Sequence, residues 1–440
     1  FGDEPNDGRF CAKGLVSAER IPRPHYWEAQ KVLQYIKVTP DDTALGRVRI
    51  HNKYYFTSLD AFDADWVLEE NGKSIGAGKL DGLNAKPGEE QIVTIPWGNR
   101  EWQAGSEYFL TVKFHLRNDT LWAKAGHVVA WDQISIPAPP AKTAGPSAGK
   151  VNLSREGEDW VAFANGTTVR VDGQKGWLKS FSVAGHEFLA APLRPNFWRV
   201  PTDDDIGWKV PGIMGAWKNA VSKAELQSLD AMTTVDGARI SAAFKLPSTS
   251  ANMSLSYVLY GDGVLHVELQ LELAKASPEL ARIGVQFAMP AAYDGIRWFG
   301  RGPQENYWDR KTGTAIGLYQ TRVADWITPY VRPQENANRT DVRWVEFLNA
   351  DGIGLRAQAE KPLLGISAWP YSAEDLEATT HNHLLPHRDF VTVNLDGWQM
   401  GVGGDISWGL PVHKEYRILA KGKYYFSFDL HPLPSTSKIQ

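Results

Sequence analysis

The stretch Leu265–Leu273, LHVELQLEL, alternates without a slip. Leu265, Val267, Leu269, Leu271 and Leu273 fall on one side, and His266, Glu268, Gln270 and Glu272 on the other. Successive side chains of a strand point to opposite faces, so the pattern predicts a strand with one face on a core. MSLSYVLY precedes it across Gly261-Asp262-Gly263, which reads as a hairpin turn.

Outward from this hairpin, the chain is strand-rich from about Val151 to Pro432. Helical signal is thin: the segment Ala216–Leu226, and a turn opened by Ser372 with Asp375 as its capping-box partner. A long unit of mostly antiparallel strand predicts a large two-sheet sandwich. Towards the N-terminus lies PAPPAKTAGPSAGK, residues 137–150, rich in Pro, Ala and Gly without period, which marks a linker. Before it, YFLTVKFHL places Leu110, Val112, Phe114 and Leu116 on one face, and RVRIH at 47–51 alternates likewise. Asn71-Gly72 and Pro87-Gly88 supply turns, so this smaller segment predicts an immunoglobulin-like sandwich. Residues 1–20 show no clear period, and Tyr26–Gln34 reads as a short helix with Pro24 near its start. No strand–helix–strand alternation runs along the chain, which argues against a parallel barrel within it.

The composition is that of an ordinary globular chain. Of 440 residues 43% are apolar and 22% charged, with a net charge of −4, and no basic patch points to nucleic acid. The single cysteine, Cys11, rules out an internal disulfide, so the compartment is left open. No apolar run approaches the ~18 residues a membrane helix needs. The chain opens FGDEPNDGRF with neither an initiator Met nor a signal-peptide pattern, as a piece of something longer would. The 18 tryptophans are many, and a Trp can bury its ring or stack it on the C–H face of a sugar.

Four stretches offer chemistry. PQEN occurs twice, at 303–306 and 333–336. Glu305 and Glu335 could be the paired carboxylates of a glycosidase, about 5–5.5 Å apart for retention. The simpler reading is that Pro starts a turn while Glu and Asn bond to loop backbone, and that reading is favoured. THNHLLPHRD carries His381, His383 and His387; on a strand the first two would share a face as a metal pair, but neutral structural histidines are the simpler account. Asp203–Asp205 resembles a divalent site, or a loop paired with an arginine such as Arg199. In MGVGGDISWG, Trp408 follows Gly401, Gly403 and Gly404, and its ring is either a stacking platform or a plug folded inward.

FGDEPNDGRFCAKGLV, FWRVPTDDDIG, GRGPQENYWDR, TPYVRPQEN, THNHLL and LDGWQMGVGGDISWG resemble, in order, the C-terminal part of bacterial β-galactosidases of glycoside hydrolase family 2. The resemblance implies an all-β chain. Residues 1–33 would be the last loop and helix of the catalytic (β/α)8 barrel, and 34–138 an immunoglobulin-like sandwich. Residues 139–149 would be a linker, and 150–440 the closing domain, a galactose mutarotase-like supersandwich. The family's acid/base is a Glu in an Asn-Glu dipeptide, which is missing from this sequence. Its nucleophile lies in a Glu-Tyr segment followed closely by His, which neither Glu107-Tyr108 nor Glu415-Tyr416 provides. Both catalytic glutamates are therefore expected upstream of Phe1, and the chain alone is expected to be inactive.

By the same resemblance Trp408 matches an aromatic of the active-site wall, which favours the stacking reading. Phe10 matches a residue whose carbonyl binds a monovalent cation, and Gly207 the hinge of a mobile loop. Lys13 stands where the best-known pattern has a cation-binding Asn; an ammonium only donates, so it is expected to occupy the sodium position itself. Trp208-Lys209 replace small residues after the hinge, which argues against a mobile loop. The parent protein would use magnesium and sodium, act on a galactoside, join this chain to its barrel region and form a homo-oligomer, with no nucleic-acid or membrane partner. Two alternatives carry their own expectations. A mutarotase-like enzyme would bring His381 or His383 together with Glu305 or Glu335 in one cleft. A carbohydrate-binding module would bind sugar through Trp408 alone.

Overall fold

The computed structural model describes residues 4–5, 14–98, 100–140, 149–275, 277–406 and 409–434. The chain divides into two units: residues 1–144 with 312–318, and residues 145–311 with 319–440.

In the first unit the helix Pro24–Leu33 starts earlier than expected, with Pro24 at its first position, where the missing N–H costs nothing. It is the one α-helix described among residues 1–33, and no barrel strand accompanies it there. Seven strands form two antiparallel sheets. One orders Ile36–Asp42, Arg47–Asn52 and Glu90–Thr94; the other orders Lys73–Leu80, Phe62–Glu70, Tyr108–Leu116 and Val128–Ile136. Ile36, Val38, Val48 and Ile50 share one core with Leu68, Leu110, Val112 and Phe114, so this is a sandwich. Asn71 and Gly72 both have positive φ, 48° and 78°, as a two-residue hairpin turn requires.

The second unit is a larger sandwich. Within this unit one sheet follows the order Glu225–Thr233, Gly237–Leu246, Ala251–Tyr260, Leu265–Leu273, Gly422–Leu433, Gly354–Lys361, Trp344–Leu348 and Gly295–Gly302. The other runs Arg339–Val342, Leu364–Trp369, Phe390–Gln399, Arg282–Pro290, Ala191–Asn196, Leu178–Val183, Thr167–Val171, Asp159–Ala164 and Asn152–Glu156, with His186–Glu187 paired onto Leu178–Val183. Val267, Leu269 and Leu271 of the first meet Val285, Phe287, Val393 and Leu395 of the second in a continuous core. Cutting a buried leucine such as Leu269 to Ala costs about 2–5 kcal/mol at such a site.

The hairpin across Gly261–Gly263 forms as read: Ala251 to Leu259 pair antiparallel with Leu273 to Leu265. The capping box also forms, with Ser372 Oγ accepting from the Asp375 N–H at 3.1 Å and Asp375 Oδ2 from the Ser372 N–H at 2.9 Å. The helix expected over Ala216–Leu226 does not. Short helices occupy Asp203–Gly207 and Val210–Met214, a 3-10 turn Gly215–Trp217, and Glu225 already begins a strand. Trp217 and Ala220 are buried from a run of tight turns, so their spacing imitates a helical face. His381 and His383 are not on a strand: His381 precedes the 3-10 turn Asn382–Leu384, which contains His383. They therefore share no strand face, although the turn leaves their ring centroids 5.7 Å apart. No described helix is long and apolar enough to cross a membrane.

Candidate functional site

Four segments of the second unit converge: Val200–Gly207, Pro303–Arg310, Thr328–Asn338 and Gln399–Gly404. Each is held by a charged side chain that reaches into the next.

The first starts the short helix Asp203–Gly207. Thr202 Oγ1 accepts from the Asp205 N–H at 3.1 Å, and Asp205 Oδ2 accepts from the Thr202 N–H at 3.0 Å. Arg199 grips the same carboxylate with Nη2 at 2.7 Å and Nε at 3.0 Å, and both residues are 1% exposed. The rest of the guanidinium donates to the carbonyls of Met400 and Gly401, tying the helix start to the glycine segment. The aspartate run is thus paired with Arg199, one of the two readings its sequence allowed. Asp203 accepts from Arg332 Nε at 2.8 Å and Gln334 Nε2 at 3.1 Å. Among the described residues, Asp204 has no such arginine. Burial, then the charges of Asp205, Asp203 and Asp309, push its carboxyl up to about 6.

The two PQEN copies share one local hydrogen bond. In each, the Asn side-chain amide donates to the backbone carbonyl of the Gln two residues earlier, at 2.9 Å. In each, the Glu is buried and arginine-paired. Glu305, 3% exposed, accepts from Arg310, from Tyr330 Oη at 2.7 Å and from the Ala337 N–H at 2.7 Å. Glu335, 1% exposed, accepts from Arg282 Nη2 at 2.8 Å and Gln399 Nε2 at 3.0 Å, while burial pushes its carboxyl up. Arg282 also lies 3.1 Å from Asp396, whose carboxyl burial drives up to about 7. The copies bind one another as well: the Asn306 N–H donates to the Asn338 carbonyl at 2.9 Å, and Asn338 Nδ2 to the Asn306 carbonyl at 2.8 Å.

Asp309, three residues after the first copy, closes the ring. Its Oδ2 accepts from the N–H groups of Val402 at 2.8 Å and Gly403 at 2.7 Å. Gly401 has to be glycine, because a Cβ there would lie 2.5 Å from the Asp309 carboxyl carbon. Further along, a Cβ on Gly409 would come within 3.2 Å of the Gly207 carbonyl oxygen.

Of the site residues expected from sequence, Gly207 ends the helix of the first segment, and Trp208 beyond it is 7% exposed. Trp408, Phe10 and Lys13 lie outside the described residues. His381 and His383 are not brought to Glu305 or Glu335, whose carboxylates are taken up by Arg310, Tyr330, Arg282 and Gln399. Chemically, this cluster fixes loops: both glutamates are buried and held by arginines.

One cluster escaped the sequence reading. His266 Nδ1 lies 2.7 Å from Asp429 Oδ1, its Nε2 3.3 Å from Glu268 Oε1, and Glu360 is 3.8 Å away. Burial alone would lower the imidazole pKa, but the hydrogen bonds to Asp429 and Glu268 outweigh it and raise it to about 9. Glu268 shares the strand face of His266, but Asp429 and Glu360 come from two other strands, and only sheet register, with His266 opposite Asp429, brings these in.

Residues 164–430 match the family described as "Beta galactosidase small chain", and residues 48–137 match "Beta-galactosidase, domain 4". The chain is 37% identical over 98% of its length to a β-galactosidase of Priestia megaterium, and 33% identical over 98% to one of Halalkalibacterium halodurans. It spans 42% of the length of each of these relatives. Among solved structures, a galactose 1-epimerase of Lactobacillus acidophilus matches 65% of this chain and 99% of its own at 10% identity, TM-score 0.38. A GalM/aldose epimerase homologue of C. elegans matches 61% and 97% at 6% identity, TM-score 0.36. By its match over more than half its residues, the chain belongs to the β-galactosidase small-chain family.

Proposed function

We propose that this chain is the pocket-closing part of a retaining β-galactosidase that removes terminal β-galactose from galactosides. The observation that carries the proposal is the identity to the β-galactosidase of Priestia megaterium, sustained over 98% of the chain. The geometry agrees with it: both PQEN glutamates are buried in arginine pairs. Retaining hydrolysis needs an acid/base and a nucleophilic carboxylate about 5–5.5 Å apart. In this reading a barrel outside residues 1–440 supplies both.

The chain's own share is positional. The four linked segments give the region around Gly401–Gly404 a rigid base, and Trp408 stacks on the apolar face of the galactosyl ring. The Phe10 carbonyl is a cation ligand in this reading, and the Lys13 ammonium does the electrostatic work of a bound sodium ion. Gly207 and its helix form one edge. Magnesium serves the barrel part, and the protein works as a homo-oligomer.

Hydrolysis of an aryl β-galactoside tests this. The whole protein turns it over and the 440-residue chain alone does not. Trp408→Ala in the whole protein lowers kcat/KM by about tenfold, the weight of one lost stacking contact of about 1.4 kcal/mol. Turnover by the isolated chain overturns the proposal. Strong activation of the whole protein by sodium overturns the role given to Lys13.

A further inference from the structure

The sheet that contains Arg282–Pro290 buries Val285 and Phe287 inward, so Gln286 points to its outer face. Arg194 and Asn394 stand directly opposite Gln286 on the two flanking strands. They are bonded in a row. Arg194 Nη2 donates to Gln286 Oε1 at 3.3 Å, Gln286 Nε2 to Asn394 Oδ1 at 3.0 Å, and Asn394 Nδ2 to Ser367 Oγ at 3.1 Å. Three covering segments rise around this floor, residues 172–179, 221–226 and 372–374, and leave a cleft of about 770 Å³. That volume lies in the range of roughly 300–1,000 Å³ typical of small-molecule sites. It shares no lining residue with the four-segment cluster described above.

We propose that this cleft binds a neutral oligosaccharide. Three features of the lining select that chemistry. The first is an oriented aromatic wall: Trp177 is half-buried and its ring is stacked on Phe244, centroids 4.6 Å apart and planes 17° apart. Phe244 is 3% exposed, so the indole is backed by the core and its orientation is set before a ligand arrives. A held ring of this kind suits the C–H face of a pyranose.

The second feature is the supply of hydrogen-bonding groups around that ring. A guanidinium has five donor hydrogens, and Arg194 gives one to Gln286, so donors remain at an exposed position of the floor. Glu374, an exposed residue of the lining, offers acceptors. Sugar hydroxyls both give and accept, and a lining that offers donors and acceptors together satisfies them.

The third feature is charge balance. Lys179 is neutralised by Asp159, which leaves Lys175 and Arg194 against Asp172 and Glu374. With two positive and two negative groups, the cleft exerts no net pull on an anion or a cation, which favours an uncharged polar ligand over a phosphate or an acidic sugar. The inference does not depend on the hydrolytic activity of the whole protein.

The test is calorimetric titration of the 440-residue chain with β-1,4-galactotetraose. Saturable one-site binding with a Kd of about 1 mM or tighter is expected. Arg194→Ala and Glu374→Ala, both at exposed positions, each weaken it at least about fivefold, and Trp177→Ala abolishes it. Because Trp177→Ala also removes packing from Phe244, the two surface variants keep the test decisive if that variant fails to fold. Hydrogen-exchange protection by the ligand falls within 172–179 and 191–196. Absence of saturable binding at millimolar ligand overturns the proposal, as does protection confined to 401–406, or binding unchanged in Arg194→Ala.

Discussion

The Asp309 carboxylate holds the Gly403 N–H at 2.7 Å and the neighbouring Val402 N–H at 2.8 Å, so one oxygen orders a glycine-rich turn more than ninety residues away. Glycines carry no side chain to anchor such a segment, and the anchoring is done from outside. Hydrogen bonds to a charged acceptor contribute about 1.5–3 kcal/mol. Asp309→Ala therefore frees the segment around Val402 and Gly403. In the whole protein kcat/KM for an aryl β-galactoside is expected to fall about tenfold or more, with a smaller change in melting temperature. Gly401→Ala should do the same by steric means, since its Cβ would overlap the Asp309 carboxylate. Unchanged kinetics in both variants would separate this turn from substrate binding.

Arg282 and Glu335 are both 1% exposed, and Arg282 lies between Glu335 and Asp396. Removing one member of a buried pair strands the other charge at a cost of about 3–5 kcal/mol. Glu335→Ala and Arg282→Ala should each lose stability in that range in urea unfolding, while the double variant loses less than the sum. Full additivity would show that the pair is not coupled.

How far these residues could be read beforehand varies with the range of the contact. The alternation in LHVELQLEL fixes which face is buried, because strand geometry is local, and Leu265 to Leu273 are inward as read. The structural role of PQEN was also legible: Pro and Asn favour turns, and in both copies the Asn amide bonds back to the Gln carbonyl. The partners of Glu305 and Glu335 were not. Arg310 is five residues from Glu305, but Arg282 lies fifty-three from Glu335, beyond any local pattern. Residues 216–226 misled because buried Trp217 and Ala220 sit at helical spacing on a run of turns.

Asp204 gives a pH-dependent effect of unusual sign. Burial and then its acidic neighbours raise its carboxyl from 3.8 to about 6. An acid with a raised folded pKa favours the folded state while protonated, so its stabilising effect is lost as pH rises through about 6. Above that pH the ionised carboxyl is a net burden, of about 1–2 kcal/mol once partial exposure screens it. Asp204→Asn should raise the melting temperature at pH 8 and change it less at pH 5. A lower melting temperature at pH 8 would mean that an unseen cation or donor satisfies the charge.

His266 titrates in the opposite region. Its pKa rises from 6.5 to about 9, and that of its partner Glu268 falls from 4.5 to about 2, chiefly through the hydrogen bond to His266. The raised histidine contributes stability that is complete below about 6.5 and lost as pH rises through about 9. The depressed glutamate contributes stability that is complete above about 4.5 and lost as pH falls through about 2. Both contributions are therefore full only between about 4.5 and 6.5. The Glu268 side chain is 25% exposed and Glu360 is 50% exposed, so water weakens the cluster, and the alkaline loss should be about 2 kcal/mol rather than the full shift. His266→Gln keeps hydrogen bonding but cannot be charged. Urea unfolding from pH 6 to pH 10 should show the wild-type chain losing its advantage over this variant across the pH 7–10 interval. A constant difference between the two proteins over that range would mean that packing of the ring, not its charge, carries the contribution of His266.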